Sequence, residues 1–135
     1  FDVHDYGLTP EKYLPLIEGK EVECIKAWRG NFEKSDYMFR NDICFVSEFG
    51  GIRMKLKDGE GWGYGKETDS VKDFVNRYKT LVDALLDNPK ITAFCYTQLT
   101  DVEQEQNGLY TYDRVPKIAP ELLKPITSRK AAIEE

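Results

Sequence analysis

The sequence has no long apolar run, no run of basic residues and no paired cysteines. No stretch approaches the about 20 apolar residues of a membrane helix. Charges are mixed, with 19 basic and 24 acidic residues and a net charge of −5, so we expect neither nucleic-acid nor membrane partners. The three cysteines, Cys24, Cys44 and Cys95, are far apart, which argues against a disulfide framework or a zinc site. Cys44 and Cys95 lie in apolar strand patterns and are predicted to be buried thiols.

The composition favours one folded domain with no cofactor. The chain has 135 residues, of which 41% are hydrophobic and 13% aromatic, as expected of a chain that buries a core. The glycine-rich segment 50–67 is not followed by the Gly-Lys-Ser/Thr of a phosphate-binding loop. The acidic segment 101–107 lacks the glycine and the spacing of a calcium-binding EF-hand loop. We therefore expect no metal or cofactor.

The most informative stretch is 43–52, an apolar run that stops abruptly at Glu48 and continues with Gly50 and Gly51. Such a run is typical of a strand buried on both faces in a parallel sheet. A carboxylate at the end of such a strand is costly to bury, and in a (β/α)₈ barrel that end carries the catalytic side chains. The alternative is that Glu48 merely caps the next loop or pairs with an arginine.

A helix and a second buried strand follow that stretch. Residues 70–87 place apolar side chains at the three-four spacing of one helix face, with an N-cap at Asp69 or Ser70. Residues 91–98 form the next apolar run, which ends at Gln98. In a strand–helix–strand unit the crossover is right-handed and both strands are parallel. The ends of the two strands, at Glu48 and Gln98, are therefore expected at one edge of the sheet.

Weaker signals mark the remaining elements. Residues 1–6 are predicted to form a short strand, and Thr9 and Pro10 to begin a helix. Residues 21–28 alternate apolar and polar side chains, which indicates an extra strand or an irregular segment. Residues 120–126 are predicted to form a last short helix. We divide the chain into one unit at 1–126 and a polar C-terminal tail at 127–135, which is expected to be loose.

Three segments carry a resemblance to a known family. Segment 47–51, Ser-Glu-Phe-Gly-Gly, resembles the nucleophile motif of glycoside hydrolase family 2, which includes β-galactosidases, β-glucuronidases and β-mannosidases. Segment 94–110 resembles the last barrel strand and its loop in that family, and segment 2–6 resembles the strand before the nucleophile strand. The resemblance implies an α/β fold that comprises the last strands and helices of a (β/α)₈ TIM barrel.

The resemblance also implies the reaction. Family members are retaining glycosidases, which need a nucleophile and an acid/base carboxyl about 5–5.5 Å apart. The family's acid/base glutamate lies in an Asn-Glu motif, and this chain has no Asn-Glu dipeptide. A complete barrel needs about 250 residues, so the chain is expected to be part of a longer parent and inactive alone. Galactose is the default sugar by family frequency. The alternative is a non-catalytic module that binds carbohydrate.

Three residues are expected to form the catalytic part of the site. The resemblance makes Glu48 the nucleophile, which attacks the sugar and forms the glycosyl-enzyme. Family members place an aromatic hydroxyl near the end of the preceding strand, where it donates to the nucleophile. Tyr6 is the best match to that group, because its hydrogen bond would stabilise the ionised carboxylate. His4 is the second candidate, and a purely structural hydrogen bond is the alternative for it.

Five further residues are expected at the substrate. Tyr96 occupies a position where family members often have tryptophan beneath the sugar ring, and an aromatic face can stack on a pyranose. Gln98 and Asp101 are expected to bond sugar hydroxyls. Trp62 and Tyr64, in the glycine-rich segment, are expected either to contact sugar or to pack on the barrel rim.

The expected partners follow from an incomplete barrel. Three strands cannot close a barrel, so strand edges at 1–6 and 91–98 and an apolar sheet face would be exposed. Such surfaces usually bind a partner. The expected partners are a carbohydrate substrate, the remainder of the parent catalytic domain and, for the isolated chain, a second copy of itself.

Overall fold

The computed structural model describes residues 2–6, 44–55 and 61–135. The elements in these ranges are strands β1 (Asp2–Asp5), β2 (Cys44–Gly50) and β3 (Ile91–Thr97), helices α1 (Val71–Leu86) and α2 (Pro120–Thr127), and a final 3₁₀ turn (Ala132–Glu134). The helix predicted to begin at Thr9, the possible strand at 21–28 and Cys24 lie outside the described residues.

The described strands form one parallel sheet in the order β1-β2-β3, with β2 in the centre. His4 pairs with Glu48 across β1 and β2, and Gly50 pairs with Thr97 across β2 and β3. The carboxyl ends of all three strands therefore meet at one edge. This confirms the predicted strand–helix–strand unit and the neighbouring positions of the two strand ends.

Helix α1 has the start that its sequence predicts. The Ser70 side chain accepts a hydrogen bond from the backbone N–H of Asp73 at 3.1 Å, which satisfies one of the free donors of the first turn. The carboxylate of Asp73 lies in that first turn, where the helix dipole favours negative charge. The helix ends at Leu86, so the sequence gives its bounds to within one residue.

The core lies between one face of the sheet and α1. Phe49 on β2 is 1% exposed, and its ring meets Phe94 and Tyr96 of β3 edge to face, each at 5.6 Å between centroids. The other buried side chains of this core are Val46, Ile52, Met54, Phe74, Tyr78, Leu81, Val82, Leu85, Leu86, Ile91, Ile118, Leu123 and Ile126. The three-four spacing of α1 thus faces the sheet as predicted.

The C-terminal segment, expected from the sequence to be loose, makes contacts with α1. The guanidinium of Arg129 donates to Asp87 Oδ1 at 2.7 Å and to the backbone oxygen of Asp83 at 3.2 Å. Ala131 packs against the core. Exposed ion pairs add little stability, but together with the Ala131 contact they hold the segment after α2 against the end of α1.

The second face of the sheet carries apolar side chains without a cover among the described residues. Phe45 is 41% exposed, and its register partner Ala93 and the thiol-bearing Cys95 are exposed as well. Cys95 was expected to be buried. Successive side chains of a strand point to opposite faces, so Cys95 faces away from the core that Phe94 and Tyr96 enter. The side chain of Cys44 is not among those described.

We expect the isolated chain to self-associate through the apolar face around Phe45. Replacing Phe45 by serine removes the largest exposed apolar side chain of this face and should shift sedimentation toward monomer. The matched control is Leu122→Ser, because Leu122 is 46% exposed but lies on α2. A monodisperse wild-type monomer that binds little hydrophobic dye would contradict this prediction.

Candidate active site

Glu48 lies near the end of β2, just before a turn that only glycine fits well. Gly50 and Gly51 have φ of +89° and +58°, a region that glycine adopts without strain. A Cβ at Gly50 would lie 2.4 Å from the Tyr96 ring, and one at Gly51 would lie 2.3 Å from the Tyr64 ring. The two glycines let the chain turn and let both aromatic rings approach the backbone beside Glu48.

The carboxylate of Glu48 is held by two side chains of the neighbouring strand segment. The Tyr6 hydroxyl donates a hydrogen bond to Glu48 Oε2. His4 Nδ1 lies 3.3 Å from the same oxygen, and the Glu48 side chain is 39% exposed. The parallel register that pairs His4 with Glu48 places both groups at the carboxylate. The structure thus brings together the three residues expected to form the catalytic part.

The Tyr6 phenol is held in its protonated form. Burial raises its pKa, and the hydrogen bond to Glu48 raises it further, whereas a hydrogen bond with the Thr97 side chain acts in the opposite direction. A phenol that keeps its proton is a permanent donor to the carboxylate. Thr97 was not singled out from the sequence. The available signal was its place at the end of β3, next to Gln98, at the edge that also carries Glu48.

Aromatic rings lead away from Glu48. The Tyr64 ring stacks on Tyr6 with 3.7 Å between centroids and 11° between planes. Trp62 meets Tyr64 edge to face at 5.7 Å and is 49% exposed. We call these three rings, Tyr6, Tyr64 and Trp62, the aromatic row. The row begins at the carboxylate and ends at an exposed indole.

Tyr96, expected beneath the sugar, contacts the core on several sides. Its ring lies 5.6 Å from Phe49 and 5.2 Å from Tyr78. Its hydroxyl accepts from the backbone N–H of Ile52 at 3.1 Å and lies 3.2 Å from the carbonyl oxygen of Asn107, to which it donates. Burial raises its pKa, so the hydroxyl stays a donor. These contacts favour a packing role over the predicted stacking on sugar.

Removing the Tyr96 hydroxyl should therefore lower stability and leave sugar affinity unchanged. We expect Tyr96→Phe to cost about 1–2 kcal/mol, because the Ile52 N–H and the Asn107 carbonyl lose a partner. Urea unfolding measures this. Tyr112→Phe is the control, since Tyr112 is 67% exposed and should change stability little. Unchanged stability combined with weaker sugar binding would contradict the packing role.

Asp101, expected to bond a sugar hydroxyl, forms a buried ion pair instead. Its Oδ1 lies 2.7 Å from Lys117 Nζ, and the two side chains are 6% and 3% exposed. The same Oδ1 accepts from the N–H of Gly108 at 2.8 Å, and Lys117 also donates to the Gln106 carbonyl at 3.1 Å. Burial lowers the pKa of Lys117, and the attraction of Asp101 opposes that shift. Asp101 thus has a structural role: its contacts with Lys117 and Gly108 stabilise the loop that follows β3.

Gln98 has a buried side-chain nitrogen without a partner among the described residues. Its backbone carbonyl accepts from the N–H of Leu109 at 3.1 Å, and the Thr97–Gln98 peptide bond is cis. Its side-chain Nε2 is buried and has no hydrogen-bond partner among the described residues. Buried donors are usually paired, so the unpaired Nε2 is unusual, and the expected bond from Gln98 to a sugar hydroxyl stays a prediction.

The nearby arginine is engaged by another carboxylate. The Arg53 guanidinium pairs with Glu67 and lies 3.5 Å from the side-chain oxygen of Gln106. The sequence left open that Glu48 pairs with an arginine; Arg53, which follows the turn after β2, pairs with Glu67 instead. The ion pair between Arg53 and Glu67 thus connects the two described parts of the glycine-rich segment, residues 50–55 and 61–67.

The described ranges offer no cluster of three or more His, Cys, Asp or Glu that could hold a metal ion. Within the same ranges no helix is long and apolar enough to cross a membrane. The chemistry that these residues can perform is that of an oriented, half-exposed carboxylate beside aromatic surfaces and hydrogen-bond donors.

Comparisons with known proteins show that the fold of this chain is similar to parts of solved structures. No family model matches the sequence, and no curated protein matches it. Among solved structures, a GH2 β-galacturonidase from Eisenbergiella tayi bound to galacturonate superposes with a TM-score of 0.59 at 17% identity, over 96% of this chain and 24% of that one. PfGH50B superposes with a TM-score of 0.57 at 15% identity, over 95% of this chain and 17% of its own. The chain therefore has an α/β fold shared with a part of glycoside hydrolase structures and spans a quarter or less of their length.

Proposed function

We propose that this chain is the C-terminal part of a (β/α)₈ catalytic domain in a retaining glycoside hydrolase, with Glu48 as the nucleophile. The observation that supports this best is the carboxylate at the carboxyl end of a central parallel strand, which accepts the Tyr6 hydroxyl and lies 3.3 Å from His4. The fold shared with glycoside hydrolase structures and the family 2 resemblance of segment 47–51 agree with it.

In the proposed reaction, Glu48 attacks the anomeric carbon of the sugar while the bond to the leaving group breaks. An acid/base carboxyl gives its proton to the leaving oxygen and then takes a proton from the water that releases the sugar from Glu48. Tyr6 donates to Oε2 and thereby orients the carboxylate for attack through its other oxygen. Thr97 hydrogen-bonds to the Tyr6 hydroxyl, and in this proposal Gln98 turns its side-chain donor to a sugar hydroxyl.

The acid/base carboxyl belongs, in this proposal, to strands outside this chain. The described sheet has three strands, and the similar solved structures are several times longer. The apolar face around Phe45 would then line the interior of the completed barrel. On this view the isolated chain binds sugar weakly and does not hydrolyse it.

We propose a β-galactoside as the substrate, in line with the family 2 resemblance. A uronic acid such as the galacturonate bound by one similar structure would require a cation for its carboxylate. Among the described residues the arginine that follows the turn after β2, Arg53, is engaged by Glu67, which supports a neutral sugar.

The proposal is tested by assaying a chromogenic β-galactoside with the longer protein, with its Glu48→Gln variant and with this chain alone. Turnover should occur in the first case only. Sugar binding without turnover in every case would favour the non-catalytic carbohydrate-binding module, for which the exposed end of the aromatic row is the supporting feature.

A further inference from the structure

We propose that Trp62 binds a second, neutral sugar ring, one unit beyond the bond that is cleaved, so that the chain recognises at least a disaccharide. This rests on the proposed function only for the direction in which the sugar extends from Glu48. The binding of a carbohydrate ring by Trp62 stands on its own observations.

The first observation is an indole that is exposed on a rigidly held segment. Trp62 is 49% exposed, and leaving so large an apolar surface in water forgoes hydrophobic stabilisation. The backbone around it is fixed, since its N–H donates to the Gln104 carbonyl at 2.7 Å and its carbonyl accepts from the N–H of Gln106 at 2.8 Å. The backbone N–H and C=O of Trp62 are thus both hydrogen-bonded, while its indole ring faces solvent.

The second observation is the close packing of the glycines that flank Trp62. A Cβ at Gly61 would lie 2.2 Å from the Gln106 side chain, and one at Gly63 would lie 2.6 Å from Cβ of Arg53. The segment therefore presses against Arg53 and Gln106 at both glycines, where a side chain would require its neighbours to move. The indole between them is the large group that this segment presents.

The third observation is the continuity of the aromatic row with the carboxylate. The Trp62 ring contacts Tyr64 at 5.7 Å, Tyr64 stacks on Tyr6 at 3.7 Å, and Tyr6 donates to Glu48. A glycoside with its anomeric carbon at Glu48 can extend its next ring along this row. A pyranose offers an apolar C–H face to an indole, and aromatic surfaces bind such faces by dispersion and by their quadrupole.

The charges beside Trp62 favour a neutral ring. Glu103 is exposed, and Glu105 pairs with Trp62 as a β-bridge while its carboxylate accepts a hydrogen bond from Asn107 Nδ2 at 3.1 Å. Two carboxylates therefore belong to the segment that pairs with the Trp62 backbone. Like charges in proximity disfavour binding. A sugar acid at this second position would therefore bind less well than a neutral ring.

Ligand-observed NMR and tryptophan fluorescence on this chain test the proposal. In a Trp28→Phe background Trp62 is the only tryptophan, because the chain has two. The probes are methyl β-galactoside, lactose and lactobionate, which carry no second ring, a neutral second ring and an open-chain acid, respectively. We expect lactose to shift the Trp62 emission and to bind about 3- to 10-fold more tightly than the other two.

The gain for lactose should disappear in Trp62→Ala and persist in Tyr112→Ala, which removes an exposed aromatic ring outside the aromatic row. Equal affinity for all three sugars, or a lactose gain that survives Trp62→Ala, would overturn the proposal. The test needs no turnover, so it can succeed even if Glu48→Gln proves that Glu48 is not the nucleophile, and it can fail while that role stands.

Discussion

Replacing Glu48 by glutamine should abolish hydrolysis by the longer protein, with a fall in kcat on the order of 10⁴-fold or more. The amide has nearly the same shape and still accepts the Tyr6 hydroxyl, so the fold is retained. A neutral amide oxygen is a poor nucleophile toward an anomeric carbon, so the glycosyl-enzyme does not form. Steady-state kinetics with a chromogenic β-galactoside measure the loss.

Two comparisons separate a nucleophile from a structural carboxylate. Glu121→Gln changes an exposed carboxylate on α2 and should leave kcat unchanged. A 2-deoxy-2-fluoro galactoside, which slows release of the sugar, should label a peptide that contains Glu48 in the wild type and not in Glu48→Gln. Wild-type turnover in Glu48→Gln, or a label on another residue, would contradict the assignment.

Replacing Lys117 by methionine should lower the free energy of unfolding by about 3–5 kcal/mol. The change leaves the Asp101 carboxylate 6% exposed, and the N–H of Gly108 is then the one partner that its Oδ1 keeps among the described residues. Removing a charge from water without a counter-charge is among the most costly single changes in a protein. Urea unfolding of this chain measures the effect.

The matched control is Lys79→Met, because Lys79 forms an ion pair with Asp83 at the surface of α1. That exposed pair should contribute about 0.3–0.5 kcal/mol. Combining Asp101→Asn with Lys117→Met removes both charges and should recover much of the loss, because no charge is then left buried without a partner. Equal losses for Lys117→Met and Lys79→Met would contradict the role of the buried pair.

The local elements could be predicted because their signals are local. The apolar spacing in 71–86 and the cap at Ser70 determine α1 regardless of what it packs against. The apolar runs at 44–50 and 91–97, joined by one helix, determine two parallel strands with neighbouring ends. The glycines after Glu48 indicate the turn, because few other residues adopt positive φ there. These features made Glu48 and its strand end a prediction from sequence.

We expected Tyr6 and His4 near Glu48 because of the family resemblance. Their actual positions follow from the parallel register of β1 and β2. The register contains an irregularity between Val3 and His4, which no local sequence pattern predicts. A shift of one residue moves every side chain of a strand to the opposite face of the sheet. Thr97 was missed for the same reason: its contact with Tyr6 joins residues far apart in the chain.

Tyr96, Cys95 and Asp101 show what only the tertiary structure decided. From the sequence, Tyr96 and Cys95 are both members of an apolar strand, and the orientation of β3 against α1 decides which of them enters the core. The sequence suggests that Asp101 bonds a sugar hydroxyl, and only the fold places Lys117, 16 residues away, against it. Patterns within the chain determine helices, strands and turns, because those depend on neighbouring residues. Burial of a particular side chain depends on packing between segments that are far apart in the chain, and local sequence patterns do not determine which of those segments come into contact.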